Sequence, residues 1–166
     1  MTLIDATSTI QDINSTTYSF WQADVNASGS FAAQGRSDML TLWNALAIIP
    51  GKPSDLLVTT ATVHGYYEGS LVAQQRYTSM GAGNSAFSNL MFKTAPVIFD
   101  NDCTSGVMYF LNSDILELAV SSDTNFVLSE WVKPSDQDAK VAQILVGLEL
   151  ITTNRRKLGK LTGITA

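Results

Sequence analysis

The sequence predicts an α+β fold. Helix-period patterns fall early, strand-like runs crowd the second half, and 45% hydrophobic with 15% charged residues in 166 supply the core of one ordinary soluble domain. A chain of this size buries roughly two-thirds of the surface that its unfolded form exposes.

Taken in order, residues 1–34 are rich in Ser, Thr, Asn and Asp, with one β-prone island at Thr17-Tyr18-Ser19-Phe20-Trp21 that reads as a strand. Ser37 is placed to cap a helix in which Met39, Leu42, Trp43 and Leu46 recur at i, i+3, i+4 and i+7, ending before Pro50-Gly51. The apolar run 55–60 reads as a buried strand. A second helix follows with Val63, Tyr66, Tyr67 and Leu71 on one face, although Gly65 and Gly69 each cost it about 1 kcal/mol relative to Ala. Its end is expected before the loop Met80-Gly81-Ala82-Gly83-Asn84.

From residue 89 the pattern turns to β. Residues 90–93, 96–99 and 107–111 read as strands, the last two flanking the turn cluster 100–106 as a hairpin. Residues 115–120 and 126–131 are further strands, parted by Ser121-Ser122-Asp123-Thr124. Residues 141–153 are apolar on both alternating sets, which predicts a central sheet strand covered on two sides. Trp43, Leu46, Tyr67, Phe92, Val97, Phe110 and Trp131 are the expected core.

No apolar run reaches the roughly 18 residues of a membrane span, and the N-terminus lacks the pattern of a signal peptide, so synthesis in the cytosol is expected. Cys103 is the only cysteine, which excludes an internal disulfide or a thiolate metal cluster within one chain. The net charge of −5 opposes general nucleic-acid binding, yet Arg155, Arg156, Lys157 and Lys160 make the C-terminal segment basic. A solvated or subunit-contacting chain end is the preferred reading of that segment.

Candidate chemistry is sparse. His64 is the sole histidine, and no Gly-x-Ser-x-Gly elbow accompanies it. Asp100 and Asp102 are spaced like the start of a calcium loop, but Ser105 and Leu111 stand where the required Gly and acid belong, so a turn is preferred. Gly81, Gly83 and Asn84 lack the Lys-Ser/Thr pair of a phosphate loop and read instead as a subunit-contact loop. Neighbouring carboxylates disfavour a Cys103 thiolate. No catalytic, metal or cofactor site is expected; the enzyme alternative is a small hydrolase using His64 with Asp100 or Asp102.

The segment Phe92-Lys93-Thr94-Ala95-Pro96-Val97-Ile98-Phe99-Asp100, followed by Asp102-Cys103-Thr104-Ser105-Gly106-Val107-Met108-Tyr109-Phe110-Leu111-Asn112, resembles tailed-phage major capsid proteins. Those proteins often carry a Phe-x-Gly-x-Pro-Val segment, an acidic turn and a strand ending Phe-Leu-Asn; here Thr94 or Ala95 stands at the usual glycine. Tyr18-Ser19-Phe20-Trp21, Pro53-Ser54-Asp55-Leu56-Leu57-Val58-Thr59, Trp131 and Asn154-Arg155-Arg156-Lys157-Leu158-Gly159 are similar to the same family in order. The resemblance implies the Hong Kong 97-type capsid fold, C-terminal half, with a central mixed sheet flanked by helices. It implies an axial domain at 35–132 and peripheral-domain portions at 1–34 and 133–166. It further implies a self-assembling virion subunit, forming pentamers and hexamers in a full shell, with other capsid or scaffolding proteins as partners and packaged DNA touched only indirectly. An encapsulin-like compartment shell is the alternative. The N-terminal arm, extended loop and backbone helix usual in the family have no counterpart here, so a monomer or small oligomer is expected in dilute solution.

Overall fold

A computed structural model of the chain describes residues 3–71 and 90–166. Near the N-terminus, Thr9–Ile10 (β1) and Ile13–Asn14 (β2) form a minimal hairpin across Gln11 and Asp12, both in the left-handed region that such a turn demands. The island expected as a strand is instead a 3₁₀ turn at Ser19–Trp21. The Asn14 side chain accepts the Thr16 N–H at 2.8 Å, and the Tyr18 carbonyl accepts the Trp21 N–H at 2.9 Å. Trp21 alone is buried there while Tyr18 and Phe20 face solvent, so no two-residue alternation exists for a strand to use. The strand comes later, at Asp24–Ala27 (β3), because a distant segment, Gly159–Thr162, pairs with it in parallel.

Arg36–Ile48 is the first helix (α1), and it buries Met39, Leu42, Trp43 and Leu46 as their spacing predicts. Ser37 lies inside it rather than capping it, because a π turn at Phe31–Gly35 leads straight into the helix. First-turn polarity is met by Asp38, a favourable charge at the positive end of the helix, which accepts the Ser28 hydroxyl at 2.6 Å. Leu56–Thr59 (β4) follows, and then Ala61–Ser70 (α2), where the Thr60 side chain accepts the Val63 N–H. Val63 and Tyr67 are buried, and Tyr66 is half-buried beside Phe31.

Leu90–Phe92 (β5) and Ala95–Phe99 (β6) form a hairpin through Lys93, another left-handed residue. Met108–Leu111 (β7) does not complete the hairpin expected with 96–99. β4 lies between them, parallel to β6 and antiparallel to β7, with Leu57 opposite both Val97 and Phe110. One six-stranded mixed sheet results, in the order β3, Gly159–Thr162, β7, β4, β6, β5. It takes strands from each of the segments 1–34, 35–132 and 133–166. Register puts Leu57, Val97, Met108, Phe110 and Leu161 on one face, where they join the buried residues of both helices in a single cluster. Trp43 and Tyr67 meet Phe92 edge-on, with centroids at 5.7 and 6.3 Å. Trp43, Leu46, Tyr67, Phe92, Val97 and Phe110 are all buried. Each such side chain contributes about 1.5–3 kcal/mol by leaving water.

The chain divides into two compact units, Met1–Ile115 with Asn154–Ala166, and Leu116–Thr153. The second contains Leu116–Val120 (β8), Val127–Leu128 (β9), Ile144–Leu145 (β10) and Leu148–Thr152 (β11), with Gly159–Thr162 (β12) returning to the first unit. β8 pairs with β11 and β9 with β10, both antiparallel. The central strand expected over 141–153 is therefore not formed. Gly147 interrupts it, donating its N–H to the Thr124 carbonyl at 2.8 Å and accepting that of Ser121 at 2.9 Å, and the two halves join separate ribbons. Trp131, expected in the core, is 62% exposed, on a two-stranded stretch between β9 and the isolated bridge Val132–Val141.

Candidate functional site

The acidic turn between β6 and β7 is tied to the sheet by the Asp100 N–H, which donates to the Thr59 carbonyl at 2.8 Å. The Asp100 carboxylate accepts the Asp102 N–H at 3.0 Å, the local bond expected of a turn. Burial, and then the Asp100 charge, pushes the Cys103 thiol above its ordinary pKa. A groove of about 280 Å³ lies beside Asp100, Asp102, Cys103 and Tyr109, and His64 does not line it. His64 sits on α2, half-buried, its ring edge-on to Phe99 at 5.4 Å. The structure thus brings the two aspartates together without the histidine. Among the described residues no three His, Cys, Asp or Glu side chains gather as metal ligands, and no helix is long and apolar enough to cross a membrane.

The basic segment is not the uniform contact surface that the sequence suggests. Arg155 is fully buried: Nε donates to the Leu3 carbonyl at 2.8 Å, Nη1 to the Ser8 carbonyl at 2.9 Å, and Nη2 to the Asp5 carbonyl and the Ser8 hydroxyl. Burial lowers its pKa, partly offset by Asp5; guanidinium stays charged regardless. Lys157 is also largely buried, its Nζ turned toward the Lys52 carbonyl at 3.5 Å. Arg155 and Lys157 are therefore internal ties and only Arg156 of the three is exposed. Arg156 borders a groove of about 360 Å³ with Asp24, Ala45, Ile48 and Ile49. There burial raises the Asp24 carboxyl, with Arg156 pulling it back down. Gly81, Gly83 and Asn84 lie outside the described residues.

Two functional-looking polar residues escape a pattern search. Asn112, almost fully buried, donates to the carbonyls of Lys52 and Pro53 at 2.7 and 3.3 Å and accepts the Asp114 N–H at 3.0 Å. Asp55 accepts the Ser113 N–H at 3.0 Å, the Ser113 hydroxyl, and Lys52 Nζ at 3.2 Å. Both sit in segments whose order suggested a family likeness, and together they lock the entrance of β4 to the exit of β7. The only signal was that pairing of motifs, since neither residue type is unusual in a turn.

No family model and no curated protein sequence matches the chain. Among solved structures, the cyanophage A-1(L) capsid asymmetric unit superposes on 97% of this chain and 56% of its own, at 16% identity and a TM-score of 0.64. The chain has the fold of a phage capsid protein. A structure of phage G gp27 major capsid proteins with gp26 decoration proteins also aligns, over 98% of this chain and 58% of its own, at 10% identity and a TM-score of 0.43. The chain spans little more than half the length of either. Among the described residues, the second unit carries an exposed apolar face. Leu118 and Val120 on β8 and Leu148 and Leu150 on β11 are all exposed, and cross-strand pairing puts the four on one face of the ribbon.

Proposed function

We propose that the chain is a structural subunit of a phage-type shell, which self-associates and turns nothing over. The observation that carries this reading is the superposition on a capsid subunit across nearly the whole chain, helices and mixed sheet included. That His64 does not line the groove beside Asp100 supports it over the hydrolase reading. In this reading residues 35–132 act as the axial domain, 1–34 and 133–166 as peripheral portions, and the loop with Gly81, Gly83 and Asn84 joins Arg156 in subunit contacts. The partners are further copies, in fivefold and sixfold rings of a full shell, together with other capsid or scaffolding proteins. Synthesis is in the host cytoplasm and the site of action is the virion. With Arg155 and Lys157 turned inward, little of the basic segment is left for packaged DNA, which is touched only indirectly.

Sedimentation velocity and negative-stain electron microscopy of the purified chain across a concentration series test the reading. Monomer at the dilute end giving way to small symmetric oligomers is expected. A chain that remains monomeric throughout would overturn the proposal.

A further inference from the structure

We propose that the Asp55 carboxylate is a proton-operated latch on the turn Ser113–Ile115, through which the chain leaves the first unit, with Asn112 as the fixed pivot of that turn. The inference is a conformational device of the fold and stands apart from the shell-subunit reading.

The chain leaves the first unit after Ile115 and re-enters it at Asn154. At the exit, the 3₁₀ turn Ser113–Ile115 runs directly into β8, and two side chains of different chemistry hold it. Asn112, almost fully buried, donates to the carbonyls of Lys52 and Pro53 and accepts the Asp114 N–H. A carboxamide does not titrate, so this tie is the same at every pH. Asp55 grips the next residue with both oxygens: Oδ1 accepts the Ser113 N–H at 3.0 Å and Oδ2 accepts the Ser113 hydroxyl. Its own N–H donates to the Leu111 carbonyl at 2.9 Å, so the carboxylate is presented from the end of the sheet. At the re-entry, Arg155 holds the chain through a guanidinium that stays charged throughout. Acid therefore acts on the exit and leaves the re-entry tied.

The charged groups around the latch decide its direction. Lys52 Nζ lies 3.2 Å from Asp55 Oδ2 and 3.5 Å from Asp114 Oδ1, and Lys157 Nζ is turned toward the Lys52 carbonyl. The Asp55 side chain is 20% exposed, against 52% for Lys52 and 58% for Asp114, so its bonds to Ser113 are the least weakened by water. Hydrogen bonds to an ionised acceptor are roughly twice as strong as neutral ones. Protonation removes that charge and turns one oxygen from acceptor to donor, while Lys52 is left to Asp114. Burial raises the Asp55 pKa, but the bonds from Ser113 and Lys52 outweigh it and hold the carboxyl below its ordinary value near about 4. The latch is thus closed at neutral pH and opens as pH falls through the folded value. Opening frees residues 113–115 beyond a pivot that Asn112 keeps in place, without melting β4 or β7.

Amide exchange of the whole chain, read residue by residue by NMR from neutral pH to about 3, tests this. Protection of the Ser113 amide is expected to fall at least about tenfold relative to that of Leu57 in β4 as Asp55 titrates. In Asp55→Asn the Ser113 protection is expected to be low already at neutral pH and to change little on acidification. Asp114→Asn, which keeps both bonds to Ser113, is expected to retain the wild-type pH response. Melting temperatures check the fold of both variants. Should Asp55→Asn fail to fold, the wild type alone decides: the Asp55 carboxyl carbon shift and the Ser113 amide shift are expected to titrate with one midpoint. Ser113 protection that follows Leu57 at every pH, or a pH response lost in Asp114→Asn instead, overturns the latch. So do different midpoints for the two shifts.

Discussion

Arg155 joins the two ends of the first unit through a single side chain. Its guanidinium satisfies the carbonyls of Leu3, Asp5 and Ser8, groups in an irregular segment with little sheet to bond them. Removing it strands buried acceptors and unpins residues 3–8, so Arg155→Ala is expected to cost about 3–5 kcal/mol in urea unfolding. Arg155→Lys should recover little of that loss, since an ammonium lacks the planar fork that reaches several carbonyls at once. A lysine variant as stable as the wild type would contradict this role. At Asp55, burial resists ionisation, but the bonds from Ser113, side chain and N–H, and from Lys52 outweigh it and hold the carboxyl below its ordinary pKa. A depressed folded pKa means stability that is present above the unfolded value near about 4 and is lost as pH falls through the lower folded value. Asp55→Asn is expected to be about 1–2 kcal/mol less stable at pH 7 and to show a shallower loss on acidification. Identical acid profiles for the two proteins would rule out the carboxylate as the cause.

At the scale of elements, two glycines show opposite demands. Gly159 on β12 lies under α1, where an added Cβ would come within 3.0 Å of Leu46, 3.1 Å of Leu42 and 3.3 Å of the Asp24 carbonyl. Its bareness lets the helix approach the sheet, and Gly159→Ala should lower stability by about 1–3 kcal/mol. Gly65 on α2 meets nothing within 4 Å. There the substitution to Ala should raise stability by roughly 0.5–1 kcal/mol through helix propensity alone. Thermal unfolding of both variants checks the pair; shifts of the same sign would show that close packing does not distinguish them. The order of strands was not legible from local pattern. Residues 96–99 and 107–111 look like hairpin partners because they are close in sequence, yet β4 separates them, since a parallel β4–β6 pair buries Leu57 against Val97 and Phe110 at once.

For the whole molecule, the contrast lies between the six-stranded sheet of the first unit, packed with its two helices, and the two-stranded ribbons of the second. Exposed backbone hydrogen bonds with little apolar cover open at low free energy. Amide exchange followed by mass spectrometry is expected to be fast across residues 127–145 and slow across β4 and β7. Equal protection in the two regions at low concentration would contradict the picture of an unsupported ribbon.

The sequence by itself determined the first helix and the start of the second, which stops at Ser70 rather than near residue 80, the buried stripe of Met39, Leu42, Trp43 and Leu46, the strands at 56–59 and 108–111, and the turn at Asp100. In each of these, neighbours a few residues apart carry the information, as periodicity and local hydrogen bonding require. It also carried, in the order of its motifs, the likeness to capsid proteins that the fold bears out. Only the tertiary structure decided that Arg155 and Lys157 point inward, that β3 pairs with β12, and that Trp131 and the apolar run after residue 141 stay exposed. Apolar alternation on both faces states that a strand must be covered, but it does not state by what.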